Sequence, residues 1–178
     1  MLNNLISLYN GGAAASTTSY ESIATVTVGA GGSSSISFSS IPSTYKHLQI
    51  RAMIVNTASS GNVYMRLNSD AGSNYNAHYL SGNGGTVSSG VFTSTYFYAA
   101  YNSTTNPGIG ITDILDYTNT NKYKVTRTLM GNDRNGSGDI ALTSGLWLNK
   151  NAITQITILP AANLFDQHSS FALYGVKG

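Results

Sequence analysis

The chain has 178 residues, no cysteine, a net charge of +2 and only 9% charged residues, against about 25% in an average soluble protein. Disulfides and thiolate metal sites are therefore excluded. The few Lys and Arg are too scattered for a nucleic-acid surface, which needs them clustered.

The length suits one domain with an arm: an arm over residues 1–19 and a domain over 20–178. The arm opens MLNNLISLYN and continues GGAAASTTS. Leu2, Leu5, Ile6, Leu8 and Tyr9 can cover one face of a short helix or lie extended in a groove. With no basic residues ahead of it, and with Asn3, Asn4 and Ser7 inside it, the run does not match a cleaved leader. No apolar run reaches the roughly 18 residues of a membrane helix. The nine small residues that follow give a flexible reach of about 15–18 Å.

From Tyr20 onward the pattern alternates with period two, the mark of half-buried strands. In YESIATVTV, Tyr20, Ser22, Ala24, Val26 and Val28 fall on one side. Ile36 and Phe38 share a side in SISF, and Leu48, Ile50, Ala52 and Ile54 in the next strand. VYMRL and YNAHYL follow, then VFTSTYFYAAY as one long strand with an aromatic end. Within it Tyr96 and Tyr98 share a face, opposite a core-facing Phe97. GIGITDILDY, KYKVTRTLM, DIALTSGLWL, ITQITIL and SSFALYGV complete about ten strands. KYKVTR reads as a solvated strand face, with Lys122, Lys124 and Thr126 on one side. Asn83-Gly84 and Asn135-Gly136 suit type I′ hairpin turns. Residues 161–166, after Pro160, allow one helical turn, and 81–90 and 101–108 are the longest expected loops. Trp147 belongs in or near the core. The expectation is an all-β antiparallel sandwich, jelly-roll-like.

Candidate chemistry is thin. On one strand Asp113 and Asp116 point to opposite faces and pair only if the strand bends, so a glycosidase pair is not expected. GNDRNGSGD offers alternating oxygens at Asp133, Asn135, Ser137 and Asp139, but Ser144 stands where a calcium loop needs Glu. His47, His78 and His168 lack the spacing of a zinc motif, and no serine sits in a nucleophile elbow. No enzyme, cofactor or metal is expected. The twelve tyrosines offer instead large contact area at low entropic cost. Tyr96, Tyr98 and Tyr101 are the candidate face for a subunit contact or for stacking on sugars.

Several stretches together resemble a family of small virion proteins of tailed bacteriophages, the aquatic type above all. They are SYESIATVTV, SSISFSSIPSTYKHLQIRAM, MRLNSDAGSNYNAHYLSGNG, LTSGLWLNKNAITQITILP and FALYGVKG, and the likeness spans residues 20–178. The resemblance implies a non-enzymatic β-sandwich displayed on the virion, with no catalytic residues to carry over. Joined to the apolar arm and the scarcity of charge, it leads to the expectation of a capsid decoration or cement protein. That protein is expected to form a trimer and to clamp the major capsid protein, without nucleic acid or membrane. The alternative expectation is a tail or fibre protein that binds host surface glycans through the tyrosine face.

Overall fold

The computed structural model describes residues 19–56, 61–104 and 106–178. Leu2, Leu5, Ile6, Leu8 and Tyr9 of the expected arm lie outside the described residues. Those residues form twelve strands: β1 (Tyr20–Thr27), β2 (Ile36–Phe38), β3 (His47–Ile54), β4 (Gly61–Leu67), β5 (Tyr75–Gly82), β6 (Val87–Ser94), β7 (Phe97–Asn102), β8 (Gly108–Leu115), β9 (Lys124–Asp133), β10 (Gly138–Trp147), β11 (Ile156–Pro160) and β12 (Ser170–Val176). They pair antiparallel into an eight-stranded sheet, β1-β12-β3-β8-β9-β10-β5-β6, and a four-stranded sheet, β2-β11-β4-β7.

This order is a jelly roll with two insertions. The pairs β1·β12, β2·β11, β3·β8 and β4·β7 are nested, as in one long hairpin folded at its middle. Rolling that hairpin brings β12 against β3 and β11 against β4, which closes two four-stranded sheets face to face. The hairpins β5–β6 and β9–β10 then extend the larger sheet past β8. The fold is therefore an all-β sandwich, as the alternation predicts.

Between the sheets, the expected faces of β2, β3 and β4 form the core: Leu48, Ile54, Val63, Met65 and Leu67 have no exposed surface. Each such side chain contributes about 1.5–3 kcal/mol when fully buried. Trp147 is also fully buried, and its Nε1 donates to Asp70 Oδ2 at 2.8 Å.

Several expectations are corrected. A bulge at Ile23 shifts the register of β1, since Ser22 pairs Tyr174 and Ala24 pairs Leu173. The two-residue alternation therefore changes side there. Tyr20 turns outward, whereas Ala24 and Val26 pack on the core. The long strand over 91–101 is two strands. It bends at Thr95 and Tyr96, where Arg66 Nε donates to the Thr95 carbonyl at 3.2 Å, so β6 joins one sheet and β7 the other. Residues 161–166 form no helical turn, and Phe165 bridges to Ser33 instead. The expected loop over 81–90 is mostly strand, because Gly82 already pairs Val87.

The hairpin tips divide. Asn135 and Gly136 take φ of 50° and 96° between Arg134 and Ser137, as type I′ requires. In the turn Asn83–Thr86 only Gly84 of the two central residues is left-handed, the sign pattern of type II′. Asn83 Oδ1 accepts from the amides of Gly85 and Thr86 and holds that turn.

Lys124 departs furthest from its expected place. It lies on the inner face with no exposed surface, and its Nζ donates to the carbonyls of Asn119, Lys122 and Lys150. Burial, then the charge of Lys122, lowers its pKa. Of the solvated face expected for KYKVTR, Lys124 and Thr126 are thus buried, and Lys122 alone is exposed.

Candidate functional site

Two surfaces stand out, one containing the tyrosines singled out in the sequence and one that the sequence conceals.

The first is a cleft. A bulge at Ala99 lets Tyr64 pair Tyr98 while Val63 pairs Ala100. Without that extra residue Tyr98 and Tyr101 would point to opposite faces; with it both flank β4 on one side. Phe97 turns into the core, 1% exposed, as expected. Tyr96 stacks on Tyr64 at 3.8 Å between centroids, and Tyr98 packs against Phe92 at 4.8 Å. Tyr98 and Tyr101 then line a cleft with Asn62, Tyr79, Ser81, Val91, Phe92, Met130 and Ala141. Tyr96 stands behind the cleft as a buttress, not in its lining. Tyr79 reaches its place because Gly90 opposite has no side chain: a Cβ there would lie 2.9 Å from the ring. Burial is the first cause that raises the pKa values of Tyr98 and Tyr101. Tyr96 and Tyr79 add to it for Tyr98, and Asp139 and the neighbouring phenols for Tyr101. The phenols of Tyr98 and Tyr101 are therefore protonated donors at neutral pH.

The second surface is the outer face of the large sheet. One row across the registers runs Met53, Ile109, Gly131, Ile140, Gly82 and Val87. The next runs Arg51, Ile111, Leu129, Leu142, Leu80 and Ser89. Six strands thus present Ile, Leu, Met and Val to solvent, while Gly110, Thr112, Thr128 and Thr143 point inward from the same strands. The usual apolar-in, polar-out arrangement is inverted here.

The inversion has a steric cause. β7 lies so close to β8 that a Cβ on Gly108 would sit 2.0 Å from the Tyr101 carbonyl oxygen, and one on Gly110 2.0 Å from that of Ala99. At these two positions no room remains inside for Ile or Leu. Thr112 and Thr128 satisfy each other there through a hydroxyl pair at 2.9 Å. Beside this close approach, apolar residues of these strands are left on the outside: Ile140 is 59% and Leu129 50% exposed. The eight apolar side chains of the two rows expose roughly 800 Å², about one partner's share of a standard protein interface and more than an ordinary monomer's largest apolar patch. Alternation in GIGITDIL and DIALTSGLWL is visible in the sequence, but its direction is not; the Gly-x-Gly spacing was the one available hint.

The acids are spread among separate structural tasks. Asp113 accepts from Gln49 Nε2 at 2.8 Å on the outer face, and Asp139 pairs with Arg134 at 2.9 Å. Asp70 is pushed up by burial, but bonds from Asn74, Trp147 and Gly72 outweigh this and hold its carboxyl below the usual range. Among the described residues no group of three or more His, Asp or Glu side chains is placed to hold a metal ion.

Asp116, in the turn after β8 with φ 46°, pairs with Lys122 and Lys46, and these bonds hold its pKa at about 2 instead of 3.8. A carboxylate depressed in the folded state stabilises above its unfolded pKa and loses that contribution as pH falls through the folded value. The thermal midpoint is therefore expected to drop as pH is lowered from 3.8 towards about 2. Asp116→Asn, which tolerates the same φ, should shrink that drop; an identical acid profile in a thermal scan would show that the pairs contribute nothing.

No protein-family model matches this chain, and no curated protein matches it either.

Proposed function

We propose that the chain is a non-enzymatic structural protein of a phage virion, most simply a decoration protein on the head. In this reading copies of it, three for a closed ring, pack through the outer face of the large sheet, and the arm of residues 1–19 attaches the ring to the major capsid protein. The observation that carries the reading is the inverted face. A sheet that holds eight apolar side chains outward over roughly 800 Å² has a surface suited to burial in an assembly. The low charge supports it, since an interface core is depleted of ions. The arm supports it through avidity. One arm of four or five apolar side chains binds weakly once ordering is counted, but arms joined in a ring bind as a unit.

The test is a pair of variants of the full chain. Wild type is expected to sediment as a closed oligomer and to travel with phage heads in a density gradient. Leu129→Glu with Leu142→Glu should give a monomer of unchanged circular dichroism, because both side chains are half-exposed and leave the core intact. Deleting residues 1–18 should preserve the oligomer but release it from the heads. A wild-type chain that stays monomeric at high concentration would overturn the packing reading.

A further inference from the structure

We infer that the cleft between β7 and the β5–β6 hairpin is a binding site for a neutral saccharide, one or two sugar rings in size. This goes beyond the assembly reading and does not depend on it, since no residue of the cleft lining belongs to the two outer-face rows.

The size fits first. A cleft of about 360 Å³ lies at the lower end of small-ligand sites. The chemistry fits next. A sugar ring has apolar C–H faces and a rim of hydroxyls, so it needs aromatic rings to cover the faces and neutral donors and acceptors to meet the rim. Here Tyr79, Phe92, Tyr98 and Tyr101 supply the rings, and the phenols, Ser81 and the Asn62 amide supply the rim. The side-chain amide of Asn62 and the hydroxyls of Tyr79, Tyr98 and Tyr101 make no hydrogen bond to another described residue. Their capacity is therefore open to a ligand.

No residue lining the cleft is charged, which disfavours sialylated, sulfated or phosphorylated ligands. The walls are also held in place before a ligand arrives. The Ala99 bulge orients Tyr98 and Tyr101, the stack of Tyr64 on Tyr96 supports Tyr98, and the bare backbone of Gly90 seats Tyr79. Such pre-organisation lowers the ordering cost of binding.

The experiment is saturation-transfer NMR and calorimetry on the full chain. The probes are the methyl glycosides of glucose, galactose, mannose and N-acetylglucosamine, with lactose and cellobiose, and sialyllactose as the charged control. At least one neutral probe should bind in the millimolar range or tighter and receive saturation on its ring C–H protons. Tyr101→Phe, which removes one hydroxyl and keeps the ring, should weaken binding about five- to tenfold, the worth of one hydrogen bond. Gly90→Val, which displaces Tyr79, should abolish it while the thermal midpoint shows a folded protein. Absence of binding by every neutral probe, preference for sialyllactose, or equal affinity in both variants would each overturn the inference.

Discussion

Gly110→Val is expected to be the most damaging single substitution in the domain. The residue sits on β8 facing β7, and a Cβ there would meet the Ala99 carbonyl oxygen at 2.0 Å and Ala100 Cβ at 2.7 Å. Both atoms belong to a packed strand and cannot rotate away as a long side chain would. The two sheets must part locally, which exposes Ala99 and Phe97 and disturbs the paired hydroxyls of Thr112 and Thr128. Overpacking against flexible neighbours costs about 1–3 kcal/mol; against backbone the loss should exceed about 3 kcal/mol. For a domain of this size that is a fall of about 10 °C or more in the thermal midpoint. Gly29→Ala is the control, since a Cβ there meets nothing within 4 Å. Equal midpoints for Gly110→Val and Gly29→Ala would refute the close approach of β7.

The second large effect is expected for Lys124→Met. Methionine matches lysine in length and shape, so the substitution removes the ammonium and leaves the packing beside Trp147 nearly filled. Three carbonyls lose their donor at once: those of Asn119 and Lys122 in the turn before β9, and that of Lys150 in the loop after β10. Removing the desolvation cost of a buried charge returns part of the loss. The unmet carbonyls should still leave a net destabilisation on the order of 3 kcal/mol. The two loops are joined through this one atom, so they should also open together. Limited proteolysis of the variant is expected to cut near 118–122 and near 149–151 under conditions where wild type resists. A variant as stable and as resistant as wild type would mean that the ammonium merely fills space.

These two residues illustrate how differently parts of the chain could be read in advance. Leu48, Ile50 and Ile54, or Val63, Met65 and Leu67, alternate cleanly and all face the core. Their strands are regular, and the four-stranded sheet covers them at the full spacing of a sandwich, so alternation translates directly into burial. Asn135-Gly136 was legible for a similar reason: a two-residue turn draws its conformation from its own residues. Phe97, set between Tyr96 and Tyr98, was readable because aromatic bulk on both sides of a strand leaves only one choice for the core. For the arm residues, no comparison of this kind applies.

By itself the sequence determined the period of almost every strand, several of its turns, the absence of cysteine chemistry and a jelly-roll-like sandwich. Tertiary structure alone decided which side is the inside in β1 and in β8 to β10. A one-residue bulge at Ile23 or Ala99 reverses every later side chain, and bulges arise from pairing with a partner distant in sequence. The bend at Thr95 divides one apparent strand between two sheets. Lys124 is buried because three carbonyls from two loops converge on it. The outward Ile and Leu of β8 to β10 follow from how closely β7 approaches Gly108 and Gly110. Local propensity acts over a few residues, whereas the distance between two sheets is a property of the whole packed domain.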